Sequence, residues 1–368
     1  MQYVTLGKTG FKASRFGLGC MRFTEDEKNA INMTRYALDN GINYLDTGYF
    51  YKNSEEILGK ALGEGYRDKA ILVTKCPMQN VESEADYERL LDEQLKRLNT
   101  DVIDIYLLHN VDRTHWEKVE KYNGLDFLDK MIKKGKILHK GCSLHGSYDH
   151  FKKVLDAYDW ELMTLQMGLL DTDHQAGVKG LKDAAAKGVP ITVMSPLRGG
   201  NLLKFAPEKV HQLVKDFPVK RSLAEWGFRY LYDMPEVKVI LSGVKTMEQL
   251  KDNIEIFRNA KPSVITEAER TLLTEIKQTF FENYAVPCTN CNYCMPCPAG
   301  VNIPQVFNYY NLKEMTNHWS DAVLYGKELI GTNTDASQCV ECGICEEKCP
   351  QYIEIIDRLK AAHKVLTD

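Results

Sequence analysis

Eight of the chain's eleven cysteines fall in two short runs, CTNCNYCMPCP at residues 288–298 and CVECGICEEKCP at residues 339–350. The first reads C-x2-C-x2-C-x2-C-P (Cys288, Cys291, Cys294, Cys297) and the second C-x2-C-x2-C-x3-C-P (Cys339, Cys342, Cys345, Cys349). Three thiolates at this tight spacing can cap three corners of one iron–sulfur cubane, while the fourth, turned away at the proline, typically serves the other cluster. Zinc sites also use C-x2-C, but as two pairs per ion rather than as triplets. Disulfides are the weaker alternative, because nothing at the N-terminus (MQYVTLGKTGF) resembles a signal peptide and cytosolic thiols stay reduced. Two 4Fe–4S clusters are therefore expected. By the usual exchange, Cys288, Cys291, Cys294 and Cys349 would hold the first, and Cys339, Cys342, Cys345 and Cys297 the second.

A second set of chemical residues lies in the first third of the chain: Asp46, Tyr51, Lys75 and His109. An acid, a phenol, an ammonium and an imidazole meeting at one point could do acid–base chemistry on a carbonyl. A phenol titrates near 10 and needs help to exchange a proton near neutral pH. A neighbouring Lys favours the phenolate, a carboxylate holds that Lys charged, and the imidazole can hydrogen-bond the carbonyl oxygen.

Elements that could bring these four together are readable in the hydrophobic pattern. Between residues 14 and 257 a short β-rich run, a polar turn and an amphipathic helical stretch recur. Strands are expected at 15–20, 42–46, 70–75, 102–108, 137–143, 162–167, 190–195 and 238–243, mostly as unbroken Val/Ile/Leu runs. Such runs suit parallel strands buried on both faces. Helices are expected at 25–41 and 83–99, the latter presenting Tyr87, Leu90, Leu91, Gln94, Leu95 and Leu98 at 3-and-4 spacing, with stops at Gly41, Gly135 and Gly188. Eight such units predict an α/β fold, a closed (β/α)8 TIM barrel, preceded by a hairpin turning at Gly7–Gly10. A doubly wound open sheet is the alternative, but no G-x-G-x-x-G follows the first strand. A barrel gathers its chemistry at the C-terminal strand ends, where Asp46, Lys75 and His109 fall on neighbouring strands.

Past residue 257 the pattern breaks into a linker and a helix capped near Thr266, then the cysteine runs. The sequence divides into a barrel at 1–260, a linker helix at 261–287 and a cluster domain at 288–368. The composition is globular, with net charge −4, which gives no electrostatic reason to expect nucleic acid or an anionic membrane as partner. No apolar run approaches the roughly 20 residues needed to span a bilayer. A cytoplasmic location is expected.

In motif order and spacing, the stretch from residue 3 to about 257 resembles the aldo/keto reductase family. DTGYFYKNSEEILGKAL is similar to that family's D-T-A-x-x-Y-G-x-S-E-x-x-L-G motif, VTK to its third-strand lysine and YLLH to its fourth-strand histidine. The resemblance implies Asp46, Tyr51, Lys75 and His109 as a catalytic tetrad, with Tyr51 the general acid in carbonyl reduction. It implies NADP(H) or NAD(H) as cofactor, with Ser143 and Gln166 at the nicotinamide carboxamide and Ser195, Leu197 and Gly200 along the pyrophosphate. Gly243, Lys245, Gln249 and Asn253 would hold the adenosine end. Three positions depart from the family pattern: Leu144 replaces an Asn, QMGLLD replaces Q-x-x-Y-N, and Met194 replaces an aromatic that stacks on the nicotinamide. His145, just past the fifth strand, reads as a surface loop histidine, with a place facing the substrate or cofactor as the alternative. Cys20, Cys76 and Cys142 read as small packed hydrophobes, with Cys76 a candidate for lining the pocket beside Lys75.

The cysteine region, with a connecting segment helical in pattern, resembles the α-helical ferredoxin modules of larger redox enzymes. The whole chain resembles aldo/keto reductases with such a module at the C-terminus. The leading expectation is a reductase or dehydrogenase of a small carbonyl or alcohol, wired through its clusters to a ferredoxin-like or flavoprotein partner. A flavin fed by the clusters is one alternative, and an electron-transfer or docking subunit with a degenerate barrel is another.

Overall fold

The fold is that of a computed structural model, which describes residues 1–23, 26–146, 148–172, 175–283, 285–316, 322–323, 325–326 and 329–368. It opens on an antiparallel hairpin of β1 (Tyr3–Thr5) and β2 (Lys12–Ser14), turning through Gly7 and Gly10 at φ 48° and 70°. Eight strands follow: β3 (Phe16–Gly19), β4 (Tyr44–Asp46), β5 (Ile71–Cys76), β6 (Ile103–Leu108), β7 (Ile137–Leu144), β8 (Leu162–Gln166), β9 (Ile191–Met194) and β10 (Val237–Ser242). They pair in parallel in chain order and β10 returns to β3, so the sheet closes into a barrel. Each of the eight expected strands is present with its ends within two residues of those read from the sequence.

The unbroken apolar runs have the expected cause: every residue of β5 and β6 is buried. At Gly141 on β7 a side chain would not fit, since a Cβ there would lie 2.3 Å from the Leu162 carbonyl oxygen on β8. Leu6 and Ala13 of the hairpin are fully buried in one cluster with Tyr44, Ile71 and Val239, near the N-terminal ends of their strands. The hairpin thus plugs the bottom of the barrel and leaves the opposite end for chemistry. The helix Glu84–Leu98 buries Tyr87, Leu90, Leu91, Gln94 and Leu98, as its spacing requires. Gly41, Gly135 and Gly188 end their helical segments at φ 85°, 72° and 72°, where any other residue would be strained.

The chain packs as two compact units, Met1–Pro196 with Phe228–Ile265, and Leu197–Gly227 with Thr266–Asp368. The first contains the whole barrel. In the second, the helix Glu208–Asp216 packs on the helix Glu267–Asn283. That longer helix starts on a capping box: the Glu269 amide donates to the Thr266 hydroxyl and the Thr266 amide to the Glu269 carboxylate at 2.9 Å. A separate core of Val286, Val301, Ile303, Phe307, Ile355 and Leu359 carries the cysteine runs on its edge. The segment between the runs is helical at Ile303–Thr316, as its pattern predicted; residues 317–321, 324 and 327–328 of it lie outside the described residues. No described helix is long and apolar enough to cross a membrane.

Candidate functional site

At the C-terminal end of the barrel, Asp46 closes β4, Lys75 sits one residue from the end of β5, and His109 follows β6. Lys75 donates from Nζ to Asp46 Oδ1 at 2.6 Å and to the Thr47 carbonyl at 2.5 Å. Both side chains are almost out of water, 2% and 5% exposed, so this is a buried ion pair. The short turn after β4 brings Tyr51 back over the pair: Lys75 Nζ lies 4.8 Å from its ring centroid. The His109 ring meets the Tyr51 ring edge-on at 5.8 Å, and Phe50 lies 6.2 Å from His109. All four residues read from the sequence therefore converge.

The electrostatics differ from the sequence expectation at Tyr51. Burial raises its phenol well above the usual value, and the Asp46 carboxylate and Cys20 add to the rise. Lys75 does not reverse this, because its charge is spent on Asp46 and the Thr47 carbonyl. The phenol is thus held protonated. Burial also pushes His109 well below its usual value, with Lys75 and His145 adding to the effect, so its ring is neutral near pH 7. A neutral imidazole has one N–H to offer an oxygen. Burial raises Asp46, while Lys75 pulls it down through charge and hydrogen bond.

Behind this cluster lies a layer of buried polar bonds. Glu55 accepts from Thr74 Oγ1 and from Gln94 Nε2, each at 2.6 Å, and Gln94 also donates to the Lys75 carbonyl at 3.0 Å. Tyr106 donates to Gln94 Oε1 at 2.7 Å. The Thr47 and Ser54 hydroxyls are hydrogen-bonded to one another. Ser54 and Glu55, part of the quoted DTGYFYKNSEEILGKAL stretch, thus pin the strand ends rather than facing the mouth.

In the second unit, one cavity is lined by Cys288, Cys291, Cys294 and Cys349 together with Ile303, Phe307, Ile353 and Ile355. The fourth thiol comes from the other run, as the exchange pattern anticipates. The Asn290 amide donates to Cys288 Sγ at 3.4 Å, the kind of N–H···S contact that tunes a cluster. Cys345 lies within electrostatic reach of Cys339 and Cys297, and Cys342 is exposed. Among the described residues, no three His, Cys, Asp or Glu side chains converge closely enough to hold a single ion. Thiols ringing a cavity suit a cubane, each of whose irons takes one thiolate, better than zinc, which needs all four at about 2.3 Å.

Residues 15–270 match the model of the aldo/keto reductase family, which is more than half of the chain. The chain belongs to the aldo/keto reductase family. Residues 287–354 match a 4Fe-4S dicluster domain. The protein is thus an oxidoreductase of the aldo/keto reductase type carrying an iron–sulfur module. It is 28% identical over 306 residues to the uncharacterized oxidoreductase YrpG of Bacillus subtilis, covering 69% of this chain and 90% of that one. Over 125 residues it is 42% identical to the aldo-keto reductase YhdN of Bacillus subtilis, covering 30% of this chain and 38% of that protein. The aldo-keto reductase AKR11C1 of Bacillus halodurans in its holo form superposes with a TM-score of 0.63 at 25% identity, covering 75% of this chain and 96% of that one.

The residues expected to bind cofactor in this reductase are less uniformly gathered. Ser143 is buried on β7 and its hydroxyl accepts from the Asn110 amide at 2.9 Å. Gln166 is buried at the end of β8, and Ser195 follows β9 at φ 54°. Asn253 donates to Ser242 Oγ at 3.1 Å, and Gln249 accepts from the Lys245 amide at 2.9 Å, so both brace the turn at Gly243. Lys245 is exposed. Leu197 and Gly200 belong to the second compact unit, outside the set that the barrel assembles.

Two expectations need correction. His145 is not a surface histidine: it is buried, Nδ1 lies 3.2 Å from Gln175 Oε1, and its charge would act on His109. Cys76 does not line the mouth; adjacent strand residues face opposite ways, and it turns towards Tyr106, where burial pushes its thiol up to about 12. The Glu55–Thr74–Gln94 layer was also missed, although Gln94 on an otherwise apolar helix stripe was its one visible sign.

Proposed function

We propose that the barrel mouth reversibly reduces a small carbonyl compound with NADPH or NADH, and that two 4Fe–4S clusters exchange single electrons with a ferredoxin-like or flavoprotein partner. The reading is carried by the buried Asp46–Lys75 pair beneath a protonated Tyr51, with a neutral His109 beside it. In this reading residues 1–260 are the catalytic barrel, 261–287 the linker helix and 288–368 the cluster domain. The thiolate ligands suit a reducing cytosol.

The donor set fits a nicotinamide nucleotide. A buried amide at Gln166 and a hydroxyl at Ser143 suit a carboxamide, Ser195 the pyrophosphate, and Gly243, Lys245, Gln249 and Asn253 the adenosine end. Bound there, the nicotinamide would supply the hydride that reaches the carbonyl carbon. His109 donates its N–H to the carbonyl oxygen and fixes its direction. Tyr51 then gives its hydroxyl proton to that oxygen, so that hydride and proton together complete the alcohol. Lys75, kept charged and in place by Asp46, lies 4.8 Å from the Tyr51 ring centroid; too committed to Asp46 and Thr47 to ionise the resting phenol, it offsets only in part the charge left on Tyr51 during transfer.

Cys288, Cys291, Cys294 and Cys349 would hold the first cluster and Cys339, Cys342, Cys345 and Cys297 the second; bound there, the clusters would supply one-electron exchange. Tyr51→Phe tests the catalytic half. It should lower turnover of the carbonyl about 10²–10⁴-fold with the visible absorbance of the clusters unchanged, and an unaltered rate would refute Tyr51 as the acid. A flavin in the barrel is the second reading, favoured by Met194, half-buried at the end of β9 where a stacking aromatic is expected. Identifying the nucleotide released from anaerobically purified protein separates the two.

A further inference from the structure

The two cysteine runs begin with the same turn of backbone. Counting from the first cysteine of each, the third residue (Asn290, Glu341) has φ 56° in both, and the fifth (Asn292, Gly343) has φ 67° and 77°. The second residue is where the two loops part. Thr289 in the first is 2% exposed, whereas Val340 in the second is 68% exposed. That reverses the usual placement, in which valine leaves water more readily than threonine. The two side chains differ by a hydroxyl in place of a methyl, so the contrast between the loops at this position is one O–H group.

Thr289 lines the cavity shared by Cys288, Cys291, Cys294 and Cys349, whose other walls include Ile303, Phe307 and Ile355. Its Oγ1 is out of water and meets hydrogen-bond geometry with no described atom, the neighbouring Cys291 thiol included. A buried donor left unpaired costs free energy. The donor set around it is thiols and apolar carbon, so this hydroxyl suits the sulfur acceptors of a cluster held by those four cysteines. With the Asn290 amide, which donates to Cys288 Sγ at 3.4 Å, the first loop then offers two donors to sulfur. The side chain of Val340 can offer none.

We propose that Thr289 tunes the first cluster: its hydroxyl donates to a sulfur there, a cysteine thiolate or an inorganic sulfide, and favours the reduced state. Reduction adds one electron and no proton, so the sulfurs become more negative and a hydrogen bond to them strengthens. Hydrogen bonds to the sulfurs and exposure to solvent both set the potential of such a cluster. Apolar walls resist the added charge, and the Thr289 hydroxyl offsets part of that resistance. The proposal rests on the reading above, that Cys288, Cys291, Cys294 and Cys349 hold a 4Fe–4S cluster. Thr289 acts through the cluster and takes no part in proton or hydride transfer.

The test titrates the full-length, cluster-loaded protein anaerobically with dithionite and follows each cluster by electron paramagnetic resonance. The signal lost in Cys349→Ser identifies the first cluster. Thr289→Val should weaken that cluster's hold on an electron on the order of tenfold, which lowers its midpoint by about 59 mV. The midpoint of the second cluster should stay in place. Thr289→Ser keeps the hydroxyl and should restore most of the loss, while Val340→Thr, whose hydroxyl would face water, should change neither midpoint. In protein exchanged into heavy water, electron–nuclear double resonance of the reduced first cluster should show one exchangeable proton fewer in Thr289→Val. Thr289→Ala removes the hydroxyl without adding a methyl and reads the same shift should valine hinder assembly of the cluster.

Iron analysis separates the two ways of failing. With about eight irons per chain and no change of midpoint or exchangeable proton in Thr289→Val, the tuning is wrong while the cluster reading stands. If the unaltered protein assembles no cluster at these cysteines, both fall together. If Thr289→Ser lowers the midpoint as far as Thr289→Val, packing rather than the hydroxyl sets the potential and the proposal is overturned.

Discussion

Replacing Lys75 with methionine removes the cation paired with Asp46 and leaves a carboxylate that water barely reaches. The Nζ–Oδ1 separation is 2.6 Å, with both side chains nearly inaccessible. At an effective dielectric constant of about 20 the attraction at that distance is about 6 kcal/mol, part of which offsets the desolvation of both ions. Removing one partner of a buried pair costs about 3–5 kcal/mol, so Lys75→Met should lose stability on that scale. The loss should depend on pH, with a definite sign. Burial already raises the Asp46 carboxyl above its ordinary value, and Lys75 pulls it down; without Lys75 it rises further. The folded variant then binds a proton that the unfolded chain has released, so its stability falls as pH rises from the ordinary carboxylate range through the folded value. The deficit should be larger at about pH 8.5 than at about pH 6. Asp46→Asn added to Lys75→Met removes both charges, and should recover stability and abolish the pH dependence. Urea unfolding of the anaerobic, cluster-loaded protein reads this through tryptophan fluorescence, since Trp116 and Trp160 are buried in the barrel unit. A deficit equal at both pH values, or a double variant no more stable than Lys75→Met, would refute the account of the pair.

Two further outcomes follow from the same geometry. With Tyr51 raised and His109 lowered, carbonyl reduction should be nearly flat between about pH 6.5 and 9, since both groups already hold the form they need. Alcohol oxidation needs the phenolate instead, so its kcat should climb about tenfold per pH unit over that range; a plateau below pH 8 would exclude Tyr51 as the base. Cys349→Ser, in the second run, should cost the first cluster: iron should fall from about eight per chain towards about four, because Cys349 lines the cavity with Cys288, Cys291 and Cys294. Iron analysis together with the spectrum of the remaining cluster checks it, and loss of the second cluster instead would reverse the ligand exchange.

What the sequence disclosed depended on how local each feature's cause was. The eight strands were legible because a parallel barrel buries both faces of every strand, so each is written as an apolar run such as ILVTKC or VIDIYLL. Asp46, Lys75 and His109 were legible because a strand end fixes where a side chain points, and adjacent strands bring adjacent ends together. Tyr51 was legible as a neighbour, but the direction of its titration was not. That depends on whether Nζ of Lys75 is free to face the phenol, and it is instead committed to Asp46 and Thr47. His145 was misjudged because its burial depends on residues such as Gln175, thirty positions later and across a loop. Nor could any local pattern show that residues 197–227 pack with the cysteine runs; that is a property of tertiary contacts made by Asn201 and Lys204 with partners 87 and 104 positions away.

Electron counting decides what remains between the two readings of the barrel. Reducing a carbonyl takes two electrons, and a 4Fe–4S cluster changes by one, so two clusters hold the equivalent of one hydride. None of the four tetrad residues can split a pair: Asp46, Lys75 and His109 are acid–base groups, and Tyr51 is held as the neutral phenol. The organic cofactor alone then determines whether electrons pass between the barrel and the clusters. A nicotinamide gives up its pair together, so NADPH or NADH mixed anaerobically with the oxidised protein should leave the cluster absorbance standing, while added carbonyl is still reduced. A flavin can divide the pair, and in that case the same mixing should bleach the clusters before any carbonyl is added. Rapid bleaching with no flavin recovered from the protein would contradict both readings, because no group in the barrel would then account for the change from paired to single electrons.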